Sequence, residues 1–261
     1  RVGFLAGLYV FLGLILVSLV HFHVASSSKL SDQYIEIDFD QLQKGQQVST
    51  AITKNPRRYI QSCNEAHTSG VYELRLSTKS VPFTAYCDVE SLYGKWLVVQ
   101  QRVDGSVDFN RSWVEYRDGF GAVGESTEFW LGLERLYQVT LSGSFELAIE
   151  LKNETGWYGF ARYKEFAISG EADQYKLYRL GSYSGSIGDI LGLHAGEFKT
   201  YDRSFYCDNH FLGGWWFNNC EDCFLNGPYS AKDETGKGIY WRGWTNAASF
   251  SRMMIRHKQE W

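Results

Sequence analysis

Residues 94–121 read GKWLVVQQRVDGSVDFNRSWVEYRDGFG. Lys95 to Val103 form a short run rich in valine that ends in Asp104 and Gly105, the composition of a strand giving way to a turn. Two later runs have the same character, SFELAIEL at 144–151 and GFARYKEFAI at 159–168, so a mainly antiparallel sheet is expected. One helix is expected in FWLGLERLYQVT, where Leu131, Leu133 and Leu136 fall near one helical face after a cap at Ser126. Residues 181–243 are dense in Gly, Asp, Asn, Ser and aromatics and read as long ordered loops. Loops of this length in a compact domain usually carry function.

Composition narrows the class. The 261 residues, 44% hydrophobic and 21% charged, suffice for one domain with a full core plus a short appendage. A net charge of -4 and no basic run exclude a nucleic-acid partner, because phosphate affinity comes from clustered Lys and Arg. The 9 Trp, 17 Tyr and 17 Phe, with 26 Gly, suit large rings filling space between irregular segments.

Val2 to Val20 carries no charge and follows Arg1. A helix of this length comes close to the ~30 Å bilayer core, so residues 1–25 read as a signal peptide or a signal anchor. Val24 and Ser26 supply the small residues of a cleavage site and favour removal. Either way the chain beyond residue 26 lies outside the cytosol: a secreted protein, or a type II membrane protein tethered through residues 2–20. Asn110-Arg111-Ser112 and Asn153-Glu154-Thr155 are glycosylation acceptors in that compartment. Residues 26–60 are polar, with brief alternation at Ile35, Ile37 and Phe39 and neither a heptad array nor a Gly-X-Y repeat. They read as a stalk or linker ahead of a domain at 61–257.

Enzyme signatures are missing: there is no Gly-x-Ser-x-Gly elbow, His-Glu-x-x-His pair, phosphate loop or dinucleotide fingerprint. A zinc set of Cys207, His210, Cys220 and Cys223 fails on spacing, and exported thiols oxidise first.

The blocks GVYEL, YCDVE, residues 94–121, EFWLGLE, YSGSIGD, WWFNNC, LNGPY and GIYW, in this order, closely resemble the fibrinogen-related domain. That is the C-terminal module of fibrinogen chains, ficolins, angiopoietins, tenascins and tachylectin-like proteins, and an invertebrate member is the expectation. The resemblance implies an α+β, fibrinogen C-terminal-like fold: a twisted, mainly antiparallel sheet with short helices and a loop-rich C-terminal subregion holding ligand and calcium sites. It implies disulfides Cys63–Cys87 and Cys207–Cys220, each worth on the order of 3 kcal/mol.

The family's sites carry over incompletely. In YDRSFYCDN, at 201–209, Asp202 is present but Ser204 stands where a second carboxylate is expected. Calcium wants six to eight oxygens and gains affinity from carboxylates, so no cofactor is expected to be required. Where family lectins use Tyr, His and a Tyr-Ala step around an acetyl group, this chain has Phe211, Glu221, Thr235 and Gly236. With Trp215 and Trp241 these are the ligand-pocket candidates, and they describe a wider, more acidic site. At least one of Trp215 and Trp216 is expected to be plain core. Cys223 is left over among the 5 cysteines. Its acidic neighbours Glu221 and Asp222 point to exposure and hence to a disulfide-linked homodimer, the alternative being a buried thiol beside Phe224. Two functions stay open: a lectin-like module binding a glycan or cell-surface glycoprotein in innate immunity or adhesion, or a protein-binding ligand or matrix component.

Overall fold

A computed structural model describes residues 59–193, 196–203, 212–217, 222–229 and 238–258, with the backbone of 33–34 and 53–54. The chain divides into two units, 1–58 and 59–261. In the first, strand β1 (Gln33–Tyr34) pairs antiparallel with β2 (Thr53–Lys54). The apolar segment at 1–25 and most of the polar stretch after it lie outside the described residues. Among the described residues no helix is long and apolar enough to cross a membrane.

The second unit is organised around a ten-stranded antiparallel sheet. Its strands are β3 (Gly70–Leu74), β4 (Phe83–Asp88), β5 (Trp96–Arg102), β6 (Phe120–Gly121), β7 (Phe129–Trp130), β8 (Phe145–Lys152), β9 (Tyr158–Ile168), β10 (Leu177–Leu180), β11 (Tyr183–Gly185) and β14 (Phe250–His257). The main path runs β10-β9-β8-β14-β5-β4-β3, with β11 on β9 and β7, carrying β6, on β5. The three strand-like runs of the sequence are thus β5, β8 and β9. A separate ladder joins β12 (Cys223–Phe224) to β13 (Tyr240–Trp241). The Cys63–Cys87 disulfide, with Cα atoms 5.4 Å apart, ties a short 3-10 turn to β4; Cys207 and Cys220 lie outside the described residues.

Helix α1 spans Trp113–Asp118 and α2 spans Leu133–Leu141. The helix expected after Ser126 starts later than the leucine spacing implies. Phe129 and Trp130 pair with β5 and β6 as a strand, and Gly132, at φ 109°, is the cap of α2. A Cβ there would come within 2.9 Å of the Arg117 carbonyl oxygen, so the chain turns where only glycine fits. Leu131 is buried ahead of the helix, while Leu133, Leu136 and Val139 form its buried face.

β14 lies between β8 and β5 and sends alternate residues to opposite sides. Met253 and Ile255 join the main core with Leu147, Ile149 and Leu151; Met254 joins Trp96, Val98 and Ala148 on the other face. On that second face Arg252 and Arg256 stand directly opposite Glu150 and Glu146. Arg256 donates to Glu146 at 2.5 Å, Arg162 to the other oxygen of Glu146 at 2.7 Å, and Arg252 to Asp88 at 2.7 Å. Opposite charges at facing positions stabilise a sheet, and buried ones matter most because an unpartnered member is costly. Arg256 also donates to the Gly94 carbonyl at 2.8 Å, and the Trp96 indole to that of Ser91 at 2.9 Å. These bonds hold a turn in which Leu92, Tyr93 and Lys95 all have positive φ, a strain of about 1–3 kcal/mol per residue.

Glu150 accepts from the Tyr158 hydroxyl at 2.8 Å, and burial raises its carboxyl above the usual range. A raised acid favours the folded state when protonated, so its ionised form opposes folding as pH rises above the ordinary carboxylate range. Glu150→Gln keeps an acceptor for Tyr158 and removes the charge. We expect it to be at least as stable as the parent at pH 7 and to flatten the fall in stability between pH 5 and pH 7, measured by urea unfolding at both.

Candidate functional site

β5 starts with Trp96 and Val98 on the second face and Leu97 and Val99 in the main core. Its register with β14 then slips: Met254 faces Val98, but Met253 faces Gln100. This β-bulge exchanges the faces, so that Gln100 and Arg102 point into the main core side and Gln101 reaches Arg252 on the other.

Gln100 and Arg102 hold the loops. The Gln100 amide donates to the Leu225 carbonyl at 2.9 Å and to Asn226 Oδ1 at 3.1 Å, and Asn226 in turn donates to the Gly214 carbonyl at 3.0 Å. Arg102 donates to the Gly227 carbonyl at 2.6 Å and lies 3.9 Å over the Phe109 ring. All three polar residues are buried, where one missing partner costs about 1–3 kcal/mol. Burial lowers the Arg102 guanidinium below its ordinary value, and Glu128 works against that shift. Glu128 accepts the N–H groups of Val103, Asp104 and Gly105 on one oxygen and of Val107 on the other, which shapes the turn after β5. Gly105, at φ 75°, lets Tyr229 sit against that turn, and the Tyr229 hydroxyl donates to the carbonyls of Val103 and Ser249.

The C-terminal segments are tied to one another as well. Trp241 donates to the Ile187 and Gly188 carbonyls at 2.9 and 3.2 Å. The Arg242 N–H donates to the Asp222 carbonyl at 2.8 Å, and its guanidinium pairs with the buried Asp222 carboxylate while half exposed itself. Trp215 pairs through its backbone with Lys199. Of the pocket candidates, Trp215 and Trp241 are fully buried, at 1% and 0% exposure. Both side chains are packed in the core, so among the described residues they serve as framework for the loops around them. Phe211, Glu221, Thr235, Gly236 and Ser204 lie outside the described residues.

Asp202 has a structural task. Its Oδ1 accepts the Trp113 N–H at 2.9 Å, at the start of α1, and the Thr200 hydroxyl at 2.7 Å. The next residue, Arg203, lies 4.0 Å over the Trp113 ring and donates to Glu171. Among the described residues no three His, Cys, Asp or Glu side chains gather as a metal would need, and the remainder of the expected calcium loop, from Ser204 on, lies outside those residues.

Cys223 corrects the expectation of an exposed thiol. It is 4% exposed, on β12 opposite Trp241. Burial pushes its pKa up to about 12, although the Trp215 indole N–H pulls it down. The acidic neighbours that pointed to exposure do not govern it: the Asp222 side chain is itself buried and paired with Arg242. The sequence signal for the β5 residues was QQR inside an apolar run, polar groups placed where a buried strand needs partners. The Asp222–Arg242 pair spans loops and left no such signal.

The sheet thus holds a set of C-terminal loops through its own polar side chains, and the comparisons specify the family to which this arrangement belongs. The chain belongs to the family of the C-terminal globular domain of fibrinogen beta and gamma chains, whose model matches residues 57–258. Family members are recognition proteins, not enzymes, and so is this chain. It is 41% identical to human ficolin-3 over 217 residues, 78% of this chain and 71% of that protein. It is 37% identical to fibrinogen-like protein A of Apostichopus parvimensis over 76% of this chain and 73% of that one. The fibrinogen-like globe domain of human ANGPTL2 matches with a TM-score of 0.70 and 32% identity, over 76% of this chain and 99% of that domain.

With Cys223 buried, a disulfide between copies through it is not expected. Non-reducing electrophoresis should give a monomer for the parent and for Cys223→Ser alike, and a dimer band lost in the variant would contradict the buried position.

Proposed function

We propose that this chain is an extracellular recognition module that takes a glycan or a cell-surface glycoprotein on its C-terminal loops, in innate immunity or adhesion. The observation that carries the proposal is the tether of Leu225, Asn226 and Gly227 to Gln100 and Arg102. A rigid sheet under variable loops is how binding surfaces are generally presented, because the scaffold meets the ordering cost before the ligand arrives. Likeness to ficolin-3 supports a lectin-like reading. The pocket is altered: Phe211, Glu221, Thr235 and Gly236 replace the family's acetyl-binding residues. Neutral N-acetyl sugars therefore bind weakly, each missing hydrogen bond costing about 1 kcal/mol. A glycan array run beside a cell-surface receptor screen tests the proposal. We expect glycan hits other than free N-acetylglucosamine; an empty array with a receptor hit would favour the protein-binding alternative.

Calcium is dispensable in this proposal, since Asp202 is committed to α1 and Thr200. Melting curves with calcium and with chelator should nearly coincide, because a ligand raises Tm only in so far as it binds the native state. A large calcium-dependent rise would refute this part.

A further inference from the structure

At the turn from β8 to β9 the chain reads Lys152-Asn153-Glu154-Thr155-Gly156-Trp157-Tyr158. Lys152 faces Tyr158 in the ladder, so Asn153 and Trp157 are the next facing pair, closed by the Asn153 N–H donating to the Trp157 carbonyl at 3.0 Å. The return bond is made by a side chain: the Trp157 N–H donates to Asn153 Oδ1 at 2.8 Å. The Thr155 N–H and hydroxyl donate to the same oxygen at 3.1 and 2.8 Å. Gly156, at φ 84°, closes the three-residue loop. The Glu154 carboxylate accepts from Thr245 at 2.8 Å and anchors the tip to the loop beside it.

This geometry fixes the Asn153 carboxamide with its oxygen turned into the loop and its nitrogen on the opposite side. Facing residues in an antiparallel pair share one side of the hairpin, with Cβ atoms about 4.5–5.5 Å apart. Trp157 is therefore beside Asn153, yet its side chain is 76% exposed, in contrast to the fully buried Trp96, Trp130, Trp215, Trp216 and Trp241. An indole left in water at the tip of a rigid turn forgoes a large apolar burial. We infer that Asn153 carries an N-linked glycan and that the Trp157 ring is the platform on which its first N-acetylglucosamine packs.

The modification is a group transfer. Asn153 Nδ2 bonds to C1 of the sugar, the bond from C1 to the diphosphate of a lipid-linked oligosaccharide breaks, and Nδ2 loses one proton. Oδ1 remains an acceptor throughout, so all three hydrogen bonds of the turn survive in the product. Asn110 offers a contrast within the same molecule. It is exposed, but its neighbour Phe109 is buried, and Ser112, the third residue of its sequon, donates to Glu115 at the start of α1.

The inference rests on the extracellular reading for the natural protein, so the test uses a route independent of it: the full chain made in a secretory cell line behind a supplied leader. Peptide mass spectrometry after N-glycanase in heavy-oxygen water should find Asn153 occupied. Asn153→Asp, which keeps the Oδ1 acceptor of the turn and cannot take the sugar, should lower Tm by about 2–4 °C, the shift a contact of modest size gives in a domain of this length. Trp157→Ala should lower Tm by a similar amount in the glycosylated protein and leave Tm unchanged in the Asn153→Asp background. Trp157→Leu, which keeps apolar bulk without the ring, should behave as Ala does, and Asn110→Gln should leave this coupling intact. An unoccupied Asn153, or a Trp157→Ala effect equal with and without the glycan, overturns the inference. Native cell fractionation, which tests the extracellular reading, is unaffected by either result.

Discussion

The β-bulge on β5 is the constraint on which the C-terminal loops depend. One slip of register between Val98 and Gln100 turns two polar side chains into the core side of the sheet. There they serve as donors for carbonyls more than a hundred residues further along the chain. Without the slip, Gln100 and Arg102 would face the side that Val98 faces, and the Leu225–Gly227 turn would have lost its anchors. Buried backbone carbonyls require partners, so the loop and the strand specify each other: the strand needs acceptors for its amide and guanidinium, and the loop needs donors. The Glu128 carboxylate completes the arrangement by gathering the backbone N–H groups of the turn that β5 runs into.

The opposite face of the sheet solves a different problem. Charged residues at facing positions of β14 and β8 are nearly all removed from water, and each finds an opposite charge or a set of carbonyls. Such pairs add little to stability over well-packed apolar residues, but they penalise any misplaced register heavily. A strand that enters between two others must find its register on both sides at once. Arg252 and Arg256 mark it, since a shift of one residue would bury guanidinium groups in the apolar core. Arg256 extends this control to the strained turn before β5, which holds Trp96 in place.

The family relationship fits this division of labour. The likeness to the fibrinogen-like globe domain of human ANGPTL2 is one of fold as well as sequence. Beyond the sheet, the Asp222–Arg242 pair and the Asp202 contact with α1 organise the C-terminal segments, and Trp157 stands exposed at the β8–β9 tip. A sheet whose polar side chains already satisfy the loop backbone leaves the loop side chains free to change.

The sequence by itself determined the sheet, the class and the family. Apolar runs bounded by Gly, Asn and Asp place β5, β8 and β9 through a local, period-two signal that needs no partner to be read. Cys87 lies in a recognisable block, the resemblance pairs it with Cys63, and the bridge forms. The tertiary structure alone decided three things, each because the deciding group is distant in sequence. The start of α2 was set by close approach of Gly132 to the backbone at 117–118, which overrode the leucine spacing that runs back to Leu131. Trp215 and Trp241 became framework because Lys199 and the 187–188 turn take up their backbone and indole groups. Cys223 was buried because its strand lies opposite Trp241 while Arg242 holds Asp222, so the charge that locally implied exposure was neutralised by a residue twenty positions away. Periodicity and composition report what a residue is beside along the chain; burial and pairing depend on what the fold brings to it.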